Sequence, residues 1–160
     1  MRTEHVRRCA DQHKPCDHSS PWHALNRPQL DVNIGVGIGP IGFNIQGSLG
    51  LWLTPNDGLV ATATEGGGTT TGATAGFALS LNTSDAESGS DLAGPFVQRG
   101  GSIGDVFVLS YDQAKGRNSS GRTITVNSYG AGLSLKLIPF EAHSGVTETK
   151  CATLSGGKCP

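Results

Sequence analysis

Large apolar residues alternate with small polar ones over a long stretch of the chain. From Asp31 to Leu53 it reads DVNIGVGIGPIGFNIQGSLGLWL, with no charged side chain after Asp31. A period of two places alternate side chains on opposite faces of a β-strand, so the stretch predicts extended strands interrupted at Pro40. The face opposite the apolar one carries Gly, Asn, Gln and Ser, and Trp52 is its only large residue. Strand faces that meet water usually carry charged side chains, which makes this composition unusual.

The same alternation recurs in Thr69 to Leu81 and in Ser128 to Pro139, between turn signals such as Thr54 to Gly58. Asn82 to Asp91 is predicted to be a surface loop, and no helix is predicted. The fold class is therefore all-β: a single antiparallel, Gly-rich β-barrel or barrel-like sandwich of about eight strands. An irregular arm rich in Cys and His, residues 1–29, precedes the all-β domain of residues 30–160. The predicted strands cover residues 31–38, 41–53, 58–64, 69–81, 103–111, 122–128, 130–138 and 144–153.

The small polar face has two physical explanations. Glycines can let a soluble sheet coil tightly around an apolar core. Alternatively, the apolar residues face lipid and the small polar residues line a lumen, as in membrane-spanning β-barrels. The two explanations differ in one observable: an inward apolar face of Ile41 to Leu53 would indicate a water-soluble sheet.

Composition and charge narrow the classes of partner. The chain has 160 residues, of which 16 % are charged, and the formal net charge is −1. Residues 31–98 contain six acidic and no basic residues, so we expect no nucleic-acid partner. The sequence has no apolar run of the roughly 20 residues that a membrane-spanning helix needs. The polar, Cys-containing start of the chain is not typical of a secretory signal peptide.

Cysteine and histidine concentrate in the amino-terminal arm. Thiolate and imidazole are the ligands that Zn²⁺ prefers, which makes the arm a weak candidate for a zinc site. Its spacing matches no common zinc pattern, so no metal or other cofactor is assigned. Four cysteines allow three disulfide pairings, and the sequence does not choose among them or free thiols. The candidate metal ligands are Cys9, His13, Cys16 and His18, and the candidate disulfide residues are Cys9, Cys16, Cys151 and Cys159.

One weak catalytic candidate lies outside the arm. His143 is preceded by Glu141 on the same strand face and followed by Ser144. A carboxylate beside an imidazole can support general acid–base chemistry. An exposed strand end explains the same residues without catalysis, so whether the protein is an enzyme stays open.

Four short segments within residues 31–150 carry a resemblance to a known family: DLAGPF at Asp91 to Phe96, IGVGIGPIGFNIQG, YGAGLSLKL and HSGVTETK. They resemble segments in the carboxyl-terminal domains of bacterial Rhs (YD-repeat) proteins. The resemblance implies a polymorphic toxin domain with the Rhs shell and a cognate immunity protein as partners. It also implies export as a secreted effector without a signal peptide, acting in the target cell or on its membrane. It supplies no catalytic residue.

Together these observations predict a non-enzymatic toxin domain that inserts pore-forming strands into membrane lipid. One alternative is a soluble β-barrel that binds a ligand or protein around a dry core. Another is a toxin enzyme with an active site near His143 and Glu141.

Overall fold

A computed structural model describes residues 30–38, 42–71, 74–136, 138–154 and 159, with side chains from residue 42 onward. The chain forms eight antiparallel strands that close into a barrel in the order β1-β2-β3-β8-β5-β6-β7-β4. The strands are β1 Leu30–Ile38, β2 Gly42–Thr54, β3 Gly58–Thr70, β4 Thr74–Ser84, β5 Gly94–Ile103, β6 Phe107–Arg117, β7 Thr123–Lys136 and β8 Phe140–Thr153. The predicted all-β barrel class is confirmed. The predicted arm, residues 1–29, lies outside the described residues.

The strand order divides the barrel into two Greek keys. Strands β1, β2 and β3 are joined as neighbours, and β4 returns to pair with β1. Strands β5, β6 and β7 repeat this arrangement, and β8 returns to pair with β5. This is the spatial order 4-1-2-3 of the Greek key, used twice. Pairing of β4 with β7 and of β3 with β8 closes the barrel and leaves no free sheet edge.

Several predicted element boundaries are wrong. Residues 94–103 form a full strand, β5, that the sequence reading missed because Arg99, Gly100 and Gly101 interrupt its alternation. The two strands predicted over 122–128 and 130–138 are the single strand β7. The predicted loop from Asn82 to Asp91 begins with the end of β4 and ends in a single helical turn, α1 Gly89–Leu92, where no helix was expected.

The barrel has two distinct ends. The strand ends Ile38 and Gly42, Thr70 and Thr74, Ile103 and Phe107, and Lys136 and Phe140 lie at one end of the barrel. Asp105 is the only charged residue in the sequence between the members of these pairs. We call this end of the barrel the apolar end. The connections at residues 55–57, 85–93 and 118–122 lie at the other end and carry four acidic residues and Arg122. We call this the loop end.

Large apolar side chains point out of the barrel, and small polar ones point in. On β2, Phe43 is 82 % exposed, whereas its neighbours Gly42 and Asn44 are buried. On β6, Phe107 is 80 % exposed while Val108 is buried. The described part of the apolar face of Ile41 to Leu53 is therefore outward. The large apolar side chains buried on the described strands are Val60, Phe96, Val108 and Ile124, so the interior is mainly polar and differs from the dry apolar core expected of a soluble binding barrel.

Candidate functional site: the barrel lumen

Polar side chains from seven strands line the lumen. An eight-stranded barrel is only wide enough inside for side chains to fill, so small residues suit its inner face. Hydroxyl and amide groups predominate there, and four charged or titratable side chains lie among them. The inward polar residues include Asn44, Gln46, Ser48, Thr62, Thr64, Thr70, Ser80, Asn82, Gln98, Ser102, Ser110, Asp112, Ser128, Ser134, Lys136, Glu141, His143, Thr147 and Thr149.

The four titratable groups form one connected cluster. His143 Nε2 lies 2.5 Å from Asp112 Oδ1, and His143 Nδ1 lies 3.4 Å from Glu141 Oε1. Lys136 Nζ lies 3.8 Å from Glu141 Oε2. The side chains of all four are at least four-fifths buried, so solvent screens these pairs little. Opposite charges therefore alternate along the lumen wall.

Hydroxyl groups donate hydrogen bonds to both carboxylate oxygens of Glu141. Thr70 Oγ1 donates to Glu141 Oε1 at 2.9 Å, and Ser102 Oγ donates to Oε2 at 3.3 Å. The ammonium group of Lys136 donates in turn to Ser102 Oγ. Glu141 thus contacts strands β3, β5, β7 and β8 at once, and it ties the apolar end of the lumen together.

A chain of side chains crosses the lumen from β2 to β8. Gln46 Nε2 donates to Gln98 Oε1, Gln98 Nε2 donates to Asp112 Oδ1 at 3.1 Å, and Asp112 contacts His143. We call these four residues the septum. A cavity of about 80 Å³ lies on its loop-end side and one of about 130 Å³ on its apolar-end side. Gln98 and Asp112 border both cavities, so the septum separates them.

A glycine makes room for the septum. Gly100 on β5 pairs with Asp112 on β6, and a Cβ at Gly100 would meet the Asp112 carboxylate at less than van der Waals distance. The Asp112 side chain therefore lies across the backbone of its neighbour and reaches the lumen centre. Small inward residues have a structural purpose here, because larger ones would displace the polar network.

Asn44 carries a buried acceptor at the apolar-end cavity. Its Oδ1 has no hydrogen-bond partner among the described protein atoms, and the residue borders the 130 Å³ cavity. A cavity of this size and polarity can hold several water molecules, each needing about 10 to 15 Å³. The lumen therefore has room for water among its polar side chains.

His143 is poorly placed to act as a catalytic base. Its Nε2 faces Asp112 and its Nδ1 faces Glu141, although the latter contact lacks hydrogen-bond geometry. Both ring nitrogens thus point at carboxylates, and neither points at an open position where a reacting group could bind. Ser144, the third member of the predicted group, is exposed on the outer face and bonds to Thr69. The structure brings His143 and Glu141 together but separates Ser144 from them.

The loop end of the lumen is closed by an apolar stopper. Val60, Leu92, Phe96 and Ile124 are the buried apolar residues of this end, and Val60 is fully buried. Leu92 belongs to the connection between β4 and β5, residues 85–93, which we call the mouth strap. These two strands are not neighbours in the barrel, so their connection has to cross the opening.

Contacts of the mouth strap on opposite sides of the opening confirm the crossing. On one side, Asn56 N donates to Glu87 O at 2.9 Å, and Gly89 N donates to Asp57 Oδ2 at 2.7 Å. On the other side, Arg122 Nη1 donates to Glu87 Oε1 at 2.7 Å. The segment is therefore held between the β2–β3 turn and the β6–β7 loop.

Asp91 is the best-connected residue of the strap. It accepts from Asn118 Nδ2 at 2.8 Å, from Arg122 Nη2 at 3.0 Å and from Glu87 N at 2.9 Å. Burial by itself would raise the pKa of this carboxyl. The hydrogen bonds of Asn118 and Glu87 N and the charge of Arg122 outweigh that effect and hold its pKa below the usual value. The hydrogen bond to Glu87 raises the pKa of Arg122 above its usual value. Asp91 and Arg122 are therefore both ionised at neutral pH.

The remaining predicted site residues are distributed as follows. Cys9, His13, Cys16 and His18 lie outside the described residues. Cys151 and Cys159 are disulfide-bonded, with their sulfurs 2.08 Å apart. Among the described residues no group of three or more His, Cys, Asp or Glu side chains is arranged to hold a metal ion.

Sequence reasoning missed Asp112, Lys136 and Gln98 as partners of His143. The sequence does contain a signal for these residues. In a strand that alternates large apolar with small polar residues, a charged or amide residue among the small polar ones points into the lumen. Using it requires knowing that the small face is the inner one.

The described helical segment does not have the length and hydropathy to cross a membrane. The fold and site define the chain as a closed Greek-key β-barrel with a polar, ion-paired lumen and an apolar outer surface. No family model, curated protein or solved structure matches the chain.

Proposed function

We propose that the protein is a membrane-inserting β-barrel that enters a bilayer by its apolar end. The observation that carries the proposal is the apolar girdle, a set of exposed apolar side chains around the apolar end. It includes Phe43 and Ile45 on β2, Phe77 on β4, Ile103 on β5, Phe107 and Leu109 on β6, Leu133 and Leu135 on β7, and Phe140 on β8. Exposed apolar patches of this extent mark protein or membrane contacts.

The distribution of the girdle favours lipid over a single protein partner. A partner that docks on one side of the barrel covers neighbouring strands only. The girdle runs through six strands, including β2 and β6, which lie on opposite sides of the barrel. Lipid can cover all of these strands at once.

The outer surface also changes character along the barrel axis, as at a membrane interface. On β6 and β7 the girdle ends at Tyr111 and Tyr129, whose ring centroids are 5.2 Å apart. Tyr111 donates to Asn127 at 3.0 Å, and the exposed Lys115 and Arg117 follow on β6. Membrane proteins present residues in this order from the hydrocarbon core to the lipid headgroups: apolar residues first, then tyrosine, then charged residues.

Outward charges set the depth of insertion on the other side of the barrel. Glu65, Arg99, Glu148 and Lys150 are exposed near the middle of β3, β5 and β8, and Glu65 pairs with Lys150 at 3.3 Å. Charges at this level fit the headgroup region, because burying them in hydrocarbon is costly. On β2 the apolar side chains continue from Phe43 to Leu53, so this side inserts more deeply.

The filled lumen revises the expected pore. The septum, the stopper and the mouth strap block the interior. We therefore propose insertion of a closed barrel. The toxin role and the Rhs shell and immunity-protein partners stay predictions from the resemblance.

Vesicle flotation of wild-type protein and two matched lysine variants tests the proposal. Leu109→Lys and Gln113→Lys add the same charge to the outer face of β6, the first within the girdle and the second beyond Tyr111. A lysine at mid-bilayer depth costs about 2 to 4 kcal/mol, whereas one near the interface costs at most about 1 kcal/mol. We expect wild type and Gln113→Lys to float with the vesicles. Binding of Leu109→Lys should fall about 30-fold or more.

Circular dichroism of each variant checks that the barrel is folded. An encapsulated dye should stay inside vesicles that bind wild-type protein, because the lumen is blocked. The proposal is wrong if folded wild type stays in the aqueous fraction with both neutral and anionic vesicles. Equal loss of binding in the two lysine variants would also contradict it.

A further inference from the structure

The mouth strap is attached differently from the rest of the barrel. Each strand is held by two continuous hydrogen-bonded ladders, whereas the strap makes few backbone bonds to other segments. Most of its hydrogen bonds to other segments involve a side chain, with Asp57, Arg122, Asn118 and the Thr125 amide as the partners. It can therefore move without breaking a ladder of the barrel.

The mouth strap consists mostly of small and polar residues, and one apolar side chain holds it in the lumen. Residues 85–93 read DAESGSDLA, and Leu92 is the only large apolar side chain among them. Leu92 is 2 % exposed and borders the loop-end cavity, so it inserts into the lumen. Its helix, Gly89–Leu92, has only four residues and no side-chain cap. Segments with few buried apolar contacts open most easily.

Arg122 is the common partner of the acidic residues in the strap. It contacts the carboxylates of Glu87 and Asp91 and the carbonyl oxygen of Asp85. It is the only basic residue of the three loop-end connections. Without it, the carboxylates of Glu87 and Asp91 would lose the guanidinium group that pairs with both of them.

We propose that the mouth strap is a lid over the lumen, latched by Arg122 and opened when the Arg122 contacts with Glu87 and Asp91 break. Opening withdraws Leu92 from the stopper and admits water and small polar solutes to the loop-end cavity. The septum lies between that cavity and the apolar-end cavity, so opening the lid does not change access to the apolar-end cavity. The lid concerns the loop end alone and does not depend on membrane insertion.

Thiol accessibility in aqueous solution tests the lid. Ser48 borders the loop-end cavity and Ser110 borders the cavity beyond the septum. Each is replaced by Cys in turn, in a background with Cys9→Ser and Cys16→Ser. The rate of reaction with a small methanethiosulfonate reagent is then measured with and without Arg122→Gln. The matched control is Arg117→Gln, which removes the same charge from an exposed position on β6.

We expect Arg122→Gln to accelerate modification of Ser48→Cys at least tenfold and to leave the rate at Ser110→Cys unchanged. Arg117→Gln should change neither rate. Acceleration at both cysteines would mean that the whole barrel opens, which would overturn the lid. If Arg122→Gln does not fold, Asp91→Asn provides a second measurement, because it removes one of the two carboxylate charges that Arg122 contacts. Unchanged rates in both latch variants, or fast modification of Ser48→Cys in the unaltered latch, would also overturn the proposal.

Discussion

Replacing His143 by Ala tests whether the lumen cluster holds the barrel together. The imidazole lies between two carboxylates, Asp112 Oδ1 at 2.5 Å and Glu141 Oε1 at 3.4 Å, and its side chain is only 11 % exposed. Its removal leaves two acidic groups facing each other across the lumen with Lys136 as the one nearby cation. Breaking a buried pair in this way typically costs about 3 to 5 kcal/mol.

Two features of the site place the expected loss at the lower end of this range. Asp112 keeps its bond from Gln98, and Glu141 keeps Thr70 and Ser102. We therefore expect His143→Ala to lower the free energy of unfolding by about 3 kcal/mol. For a chain of this length, that corresponds to a fall in Tm of roughly 6 to 12 °C.

Urea denaturation followed by circular dichroism measures this loss at neutral pH. Ser144→Ala, an outward neighbour on the same strand, is the matched control and should change stability by less than about 0.5 kcal/mol. The double variant His143→Ala with Asp112→Ala should recover part of the loss, because it removes one of the two uncompensated carboxylates. If His143→Ala is as stable as Ser144→Ala, the cluster contributes no net stability and the reasoning fails.

Two further predictions concern the inner glycines and acid sensitivity. Gly132→Ala should destabilise the barrel by about 1 to 3 kcal/mol, because the added Cβ would overlap the Phe77 carbonyl. The outward variant Gly47→Ala should be nearly neutral, because the atom nearest to its added Cβ is 3.8 Å away. Urea denaturation of the two variants measures the difference. Asp91 has a lowered pKa in the folded protein, so its contribution to stability is present above pH 3.8 and is lost as the pH falls through the folded value. A pH series of unfolding midpoints should show this acid-dependent loss in the wild type, and a slope as steep in Asp91→Asn would refute the assignment.

The strand pattern determined much of the fold. Alternation in β2, β4 and β7 is strong enough to predict three strands and, with the turn signals, a barrel of about eight. Boundaries failed where the alternation is masked, as at Arg99 to Gly101 in β5. The order of strands, with β8 between β3 and β5, depends on pairings far apart in the chain, and a local pattern contains no information about them.

The candidate site was only partly predictable. Glu141 and His143 share a strand face two residues apart, which the sequence shows directly. Asp112 and Lys136 join them from β6 and β7 through the barrel register. The strap latch likewise joins residues of the β4–β5 and β6–β7 connections, which meet only because the first of these connections crosses the opening.

The sequence by itself determined that each strand has one large apolar face and one small polar face. It did not determine which face is inside, because a two-residue period is unchanged when a strand is turned over. Only the tertiary structure decided this. Eight strands close around a narrow interior, and inward glycines such as Gly100 and Gly132 lie where a Cβ would overlap a neighbouring side chain or backbone. The small face therefore lies inside, and the apolar face is left outside.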